Sequence, residues 1–65
     1  MSQTDMILEH LKQGKSIAPL EAFQLYGCLR LAARVNNLRD VGYRIETTTR
    51  RNGRKRWAEY TLAEQ

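Results

Sequence analysis

The sequence predicts an α+β chain in which three helices are followed by a two-stranded β-hairpin. Three observations carry this. Apolar residues recur at helical spacing in three stretches before residue 42. Each stretch closes on a glycine, at Gly14, Gly27 and Gly42. Residues 43–62, YRIETTTRRNGRKRWAEYTL, then alternate around Asn52-Gly53, the strongest short-range hairpin signal.

The first helix is expected over about residues 3–13. SQTD has the Ser-x-x-Asp pattern of an N-cap, and Ile7, Leu8 and Leu11, joined by Met6, form one stripe. His10 has no second ligand at metal spacing and reads as a surface residue. The second helix, about residues 19–26, opens at APLE. Pro19 suits the first helical position and Glu21 lies near the positive end of the helix dipole. Ala18 is a poor cap, about 1 kcal/mol worse than Ser or Thr. Leu20 and Phe23, joined by Tyr26, are the expected buried stripe. The third helix is expected over about residues 28–41. At about 100° per residue, Leu31, Val35 and Leu38 share one side, while Arg30, Ala33, Arg34 and Asn37 share another. Cys28, at the junction, reads as a small packed residue.

A type I′ turn at Asn52-Gly53 pairs Arg51 with Arg54, Arg50 with Lys55, Thr48 with Trp57, Glu46 with Glu59 and Ile45 with Tyr60. Tyr43, Ile45, Thr47, Ala58, Tyr60 and Leu62 then share a mainly apolar face, and Arg44, Glu46, Thr48, Trp57, Glu59 and Thr61 share a mainly polar one. A slip of one residue would mix the two sets. The opposed Glu46 and Glu59 would be a local cost, relieved by Arg44.

Sixty-five residues allow one domain. A single cysteine forbids an internal disulfide and suits a reducing cytosol. No apolar run reaches membrane-spanning length, and MSQTDMILEH is too polar for a signal peptide. A cytoplasmic location is therefore expected. No paired-carboxylate motif, phosphate loop, metal cluster or nucleophile with a base is present, so neither enzyme, cofactor nor small-molecule substrate is expected.

The net charge of +4 is unevenly placed. Residues 1–42 hold five basic and four acidic groups, whereas residues 43–65 hold six basic and three acidic. Five of the cations fall in RRNGRKR, residues 50–56. An Asn-Gly turn does not require them, and they repel one another. Such repulsion is tolerated most readily where a polyanion neutralises it, which favours nucleic acid over membrane. The alternative is charge that guards an exposed hairpin against edge-to-edge association.

Helix, helix, turn, longer helix and hairpin is the order of a winged helix-turn-helix. IAPLEAFQLYGC (17–28) and RLAARVNNLRDVGYRIET (30–47) resemble the short winged helix-turn-helix proteins of bacteriophages and prophages. That family usually has Thr where Ala18 stands. The resemblance implies binding to double-stranded DNA through a recognition helix in the major groove, at about residues 28–41, with the family's basic positions on Arg30 and Arg34.

Chemistry assigns the roles. Arg30 and Arg34 suit guanine O6 and N7 or phosphate, Asn37 suits adenine, and Ala33 permits close approach to a thymine methyl. Lys15 and Ser16 suit phosphate. Arg50, Arg51, Arg54, Lys55 and Arg56 suit an adjacent phosphate strand or the minor groove. Arg39 is a candidate structural partner of Asp40 or Glu46. Trp57 could stack on a base, meet a partner or cover arginine stems. A lone copy would reach few base pairs, so a homodimer or tandem sites would supply the remaining specificity. Three functions fit: a phage or prophage transcriptional regulator, an excisionase-type architectural factor, and a protein-interaction module whose basic wing meets an acidic surface.

Overall fold

The Ser2 hydroxyl accepts from the Asp5 N–H at 3.2 Å and so starts the first helix. In the computed structural model, which describes residues 2–63, the elements are α1 (Gln3–Lys12), α2 (Pro19–Tyr26), α3 (Leu31–Val41), β1 (Ile45–Asn52) and β2 (Lys55–Leu62). Three helices thus precede an antiparallel hairpin, as the sequence predicts.

Helix α3 begins three residues later than expected. Gly27, at φ +65°, ends α2 and donates to Phe23 O, while Cys28 N–H reaches back to Ala22 O at 3.2 Å. The chain is still closing α2 at residues where the apolar pattern alone would place α3. Arg30 becomes the N-cap residue, with no side-chain cap of its own.

The buried core is formed by Ile7 and Leu11 of α1, Ile17, Ala22 of α2, Cys28, Leu31, Val35 and Leu38 of α3, and Ile45 and Tyr60 of the hairpin. The expected stripe on α2 is corrected: Leu20 is 67% and Phe23 51% exposed, and Tyr26 is only half-buried. PLEAFQLY carries apolar side chains on every side, so size pointed to the wrong face. The small Ala22 is fully buried at the contact, and Ile17 and Cys28, just outside the helix, fill the space beside it.

His10 is also corrected, from surface to core. It is 6% exposed, with Nε2 2.9 Å from Ser16 O and Nδ1 2.8 Å from the Tyr26 hydroxyl. A carbonyl can only accept, so Nε2 carries the proton, and in the neutral ring Tyr26 donates to Nδ1. Both polar atoms are satisfied, which makes the burial tolerable.

The hairpin register differs from expectation by two residues in pairing. Asn52 faces Lys55, Arg51 faces Arg56, Arg50 faces Trp57, Thr48 faces Glu59 and Ile45 faces Leu62. The central turn residues are therefore Gly53 and Arg54. Gly53 has φ +65°, and among the described residues no residue other than glycine has positive φ. This is the type II′ pattern, which needs glycine only at its first central position, whereas type I′ would place Asn52 itself at positive φ, a conformation Asn adopts more readily than most residues. A shift of two preserves the faces: Ile45 and Tyr60 are buried and Tyr43, Ala58 and Leu62 pack beside them. The expected Glu46–Glu59 opposition disappears, because Thr61 faces Glu46.

One pairing was not anticipated. Ile17, between α1 and α2, exchanges both backbone hydrogen bonds with Tyr60 at 2.9 Å each. The hairpin is thereby fixed to the segment that leads into α2. A second tie comes from Arg39, which is not paired with Asp40 or Glu46. Its Nε and Nη2 donate to Ile45 O at 3.1 and 2.6 Å, and Nη2 also donates to Thr47 Oγ1 at 3.0 Å. Its guanidinium carbon lies 6.0 Å from the Tyr60 ring centre.

Candidate nucleic-acid interface

Helices α2 and α3, joined by residues 27–30, make the helix-turn-helix, and the C-terminal end of α2 is further fixed by the Gln3 amide, which donates to Gly27 O at 3.2 Å. Ala18 offers no side-chain cap, but the Glu21 carboxylate accepts from the Ala18 N–H at 3.4 Å. Leu31, Val35 and Leu38 bury one side of α3. On another side Asn37 is exposed and Ala33 and Arg34 are half-buried, while Arg30 stands exposed at the N-cap. The Arg34 Nε is buried without a hydrogen-bond partner among the described residues. Among the described residues no carboxylate forms an ion pair with it.

The wing presents Arg51, Arg54, Lys55 and Arg56, all exposed. Arg51 and Arg56 stand directly opposite across the strands, a like-charge arrangement that costs up to about 1 kcal/mol. Among the described residues only one ion pair forms, and it belongs to Arg50: its Nε lies 3.2 Å from Glu59 Oε1. The four cations nearer the tip have no carboxylate partner among those residues.

Arg50 and Ser16, expected as free phosphate contacts, are therefore engaged within the chain. Glu59 Oε1 accepts from Ser16 Oγ at 3.4 Å and from Arg50 Nε at 3.2 Å, and Oε2 accepts from the Trp57 indole N–H at 3.2 Å. The indole N–H most, and then Arg50, hold the Glu59 carboxyl below its ordinary value, with Ser16 adding to them and partial burial opposing them. Trp57 is half-buried on the outer face, anchored by this bond. Lys15 remains exposed beside the junction with Ile17.

Sequence reasoning missed Glu59. The expected register sets Glu59 opposite Glu46 and away from Arg50. In the true register Arg50 faces Trp57, so Glu59 is the diagonal neighbour on the same face. The available signal was Trp57-x-Glu59, two residues apart and hence side by side on one face.

Between α2 and the wing lies an open groove of about 750 Å³, lined by Pro19, Leu20 and Gln24 on one side and Lys55, Arg56 and Trp57 on the other. Among the described residues no group of three or more His, Cys, Asp or Glu could hold a metal ion, and no helix is long and apolar enough to cross a membrane.

Comparison with curated proteins and with solved structures finds no match. The sequence pattern of the winged helix-turn-helix domain does match, over residues 2–65, and the chain belongs to that family.

Proposed function

We propose that the chain is a sequence-specific double-stranded DNA-binding protein and acts as a small phage or prophage transcriptional regulator in the cytoplasm. The observation that carries the DNA-binding reading is charge without internal partners. Arg51, Arg54, Lys55 and Arg56 extend from the wing beside a helix-turn-helix, and among the described residues none is neutralised by a carboxylate. A polyanionic duplex would supply that neutralisation and release its own counterions. Asn37 and Arg30, exposed on and just before α3, would read base edges; Arg34 and Ala33 would shape the close approach. Lys15 would hold phosphate. The resemblance of residues 17–28 and 30–47 to short phage proteins supports the regulatory role.

Two copies on DNA, as a dimer or on tandem sites, would lengthen the sequence read. A specific observation also favours protein contact somewhere on the chain: Leu20, Phe23 and Leu29 are large, apolar and exposed.

A mobility shift on random duplex DNA in a salt series, followed by selection of preferred sites, tests the proposal. Binding that weakens steeply with salt, together with enrichment of one motif, is expected. No shift at low salt would overturn it in favour of the protein-interaction reading. Binding without an enriched motif, with cooperative bending of repeated sites, would point to the architectural, excisionase-type role.

A further inference from the structure

We propose that Glu59 is a positioning residue for DNA binding, holding Arg50 so that its terminal amino groups meet a phosphate. The inference rests on the DNA-binding reading and adds a residue whose charge argues against it.

A carboxylate beside a basic wing should weaken attraction to a polyanion; without it the formal net charge would rise from +4 to +5. Glu59 is nonetheless the most connected side chain of the hairpin. It joins three segments: Ser16 before α2, Arg50 of β1 and Trp57 of β2. It is largely covered, its side chain 21% exposed, whereas Arg50 is 57% exposed. A counter-charge alone would need neither the indole N–H nor the serine hydroxyl.

The geometry of the pair matters. Glu59 takes Arg50 through Nε, and among the described residues Nη1 and Nη2 have no partner. A guanidinium held from that position keeps its outer amino groups available for phosphate. Arg50 faces Trp57 across the strands, and Trp57 is itself fixed by the second oxygen of the same carboxylate. The long side chain is thereby ordered before any ligand arrives, which lowers the entropy lost on binding. Among the described residues the tip cations have no carboxylate partner and stand as exposed charge.

Fluorescence anisotropy on a short labelled random-sequence duplex, at one fixed low salt concentration, tests this with wild type, Glu59→Gln, Arg50→Gln and the double variant. Positioning predicts that Glu59→Gln weakens binding about five- to tenfold even though a negative charge has been removed. It also predicts that the double variant binds no worse than Arg50→Gln, because Glu59 acts only through Arg50. Unchanged or tighter binding by Glu59→Gln overturns the proposal, as do losses that multiply in the double variant. Circular dichroism and Trp57 emission report the fold. If Glu59→Gln does not fold, Arg50→Lys decides: it keeps the charge but not the fork, so a loss like that of Arg50→Gln supports positioning and retained affinity overturns it. A wild type that fails to bind at all overturns the DNA-binding reading itself, a result distinct from a binding wild type with an indifferent Glu59.

Discussion

Replacing Arg51, Arg54 and Lys55 together with Gln separates the fold from the ligand. All three side chains are exposed and lie outside the core cluster, and Gly53, which supplies the positive φ of the turn, is untouched. Removing Arg51 also ends its like-charge opposition to Arg56, so stability should stay level or rise by up to about 1 kcal/mol. Binding should suffer. Each of the three cations is without an ion-pair partner among the described residues, so each phosphate contact made releases its own counterion. At about 0.9 per contact the slope of log K against log salt should flatten by up to about 2.7. Arg50→Gln alone should flatten it less than one tip cation does, because Glu59 already neutralises part of the Arg50 charge. The assay is a salt series by fluorescence anisotropy on random duplex DNA, with circular dichroism as the fold control. An unchanged slope with a native spectrum would refute the reasoning and leave the basic tip as solvated charge or a surface for an acidic protein.

Arg34→Ala and Asn37→Ala should each weaken binding to a selected site by about 1–3 kcal/mol and affect random DNA much less; equal losses on both duplexes in the same anisotropy assay would show that they hold phosphate only. Arg39→Met should lower stability by about 1–2 kcal/mol in urea unfolding, because it removes charged donors from Ile45 O and Thr47 Oγ1; an unaltered midpoint would remove Arg39 as a tie between α3 and β1. Glu59 has a lowered pKa in the folded chain, so its ionised form stabilises the fold above the unfolded value of about 4.3 and that contribution is lost as pH falls through the folded value below it. Wild type should therefore lose more of its thermal midpoint than Glu59→Gln between about pH 5 and about pH 3, and parallel losses would contradict the assignment.

Element order was legible because periodicity and glycine punctuation agree: Gly27 and Gly42 adopt the left-handed conformations that end α2 and α3. The faces of the hairpin were legible for a separate reason. Strand parity survives a register error of two, so Ile45 and Tyr60 stay inward in either pairing. What failed were choices between near-equivalent local options. Asn52-Gly53 and Gly53-Arg54 both make good hairpin turns, as type I′ and type II′, and local turn preference does not separate them. On α2, burial followed closeness of approach rather than side-chain size, which selected Ala22 over Phe23. His10 could not be placed from spacing because its partners, Tyr26 and the Ser16 carbonyl, are supplied by tertiary structure. At the candidate site, the exposed cations of the tip were visible as composition, but the engagement of Arg50 and Ser16 was not, since it depends on the register that the turn decides.

These internal bonds bear on how α3 and the wing could act on one duplex. Arg39 ties α3 to the start of β1, and the Ile17–Tyr60 pair ties β2 to the entrance of α2. A polar chain runs alongside: Tyr26 to His10, His10 to the Ser16 carbonyl, Ser16 hydroxyl to Glu59, and Glu59 to Arg50. It links the end of α2, just before the turn into α3, to the outer face of the wing. Phosphate contacts fix a protein's register on DNA, and base contacts read sequence only when that register is held. A wing free to pivot would contribute charge but no register. The ties at Arg39 and Ile17 restrict that freedom at the base of the hairpin and Glu59 holds the Arg50 side chain, so on the proposed DNA-binding reading directional contacts would fall at Arg50 and on α3, while the exposed side chains of Arg51, Arg54, Lys55 and Arg56 would add diffuse attraction.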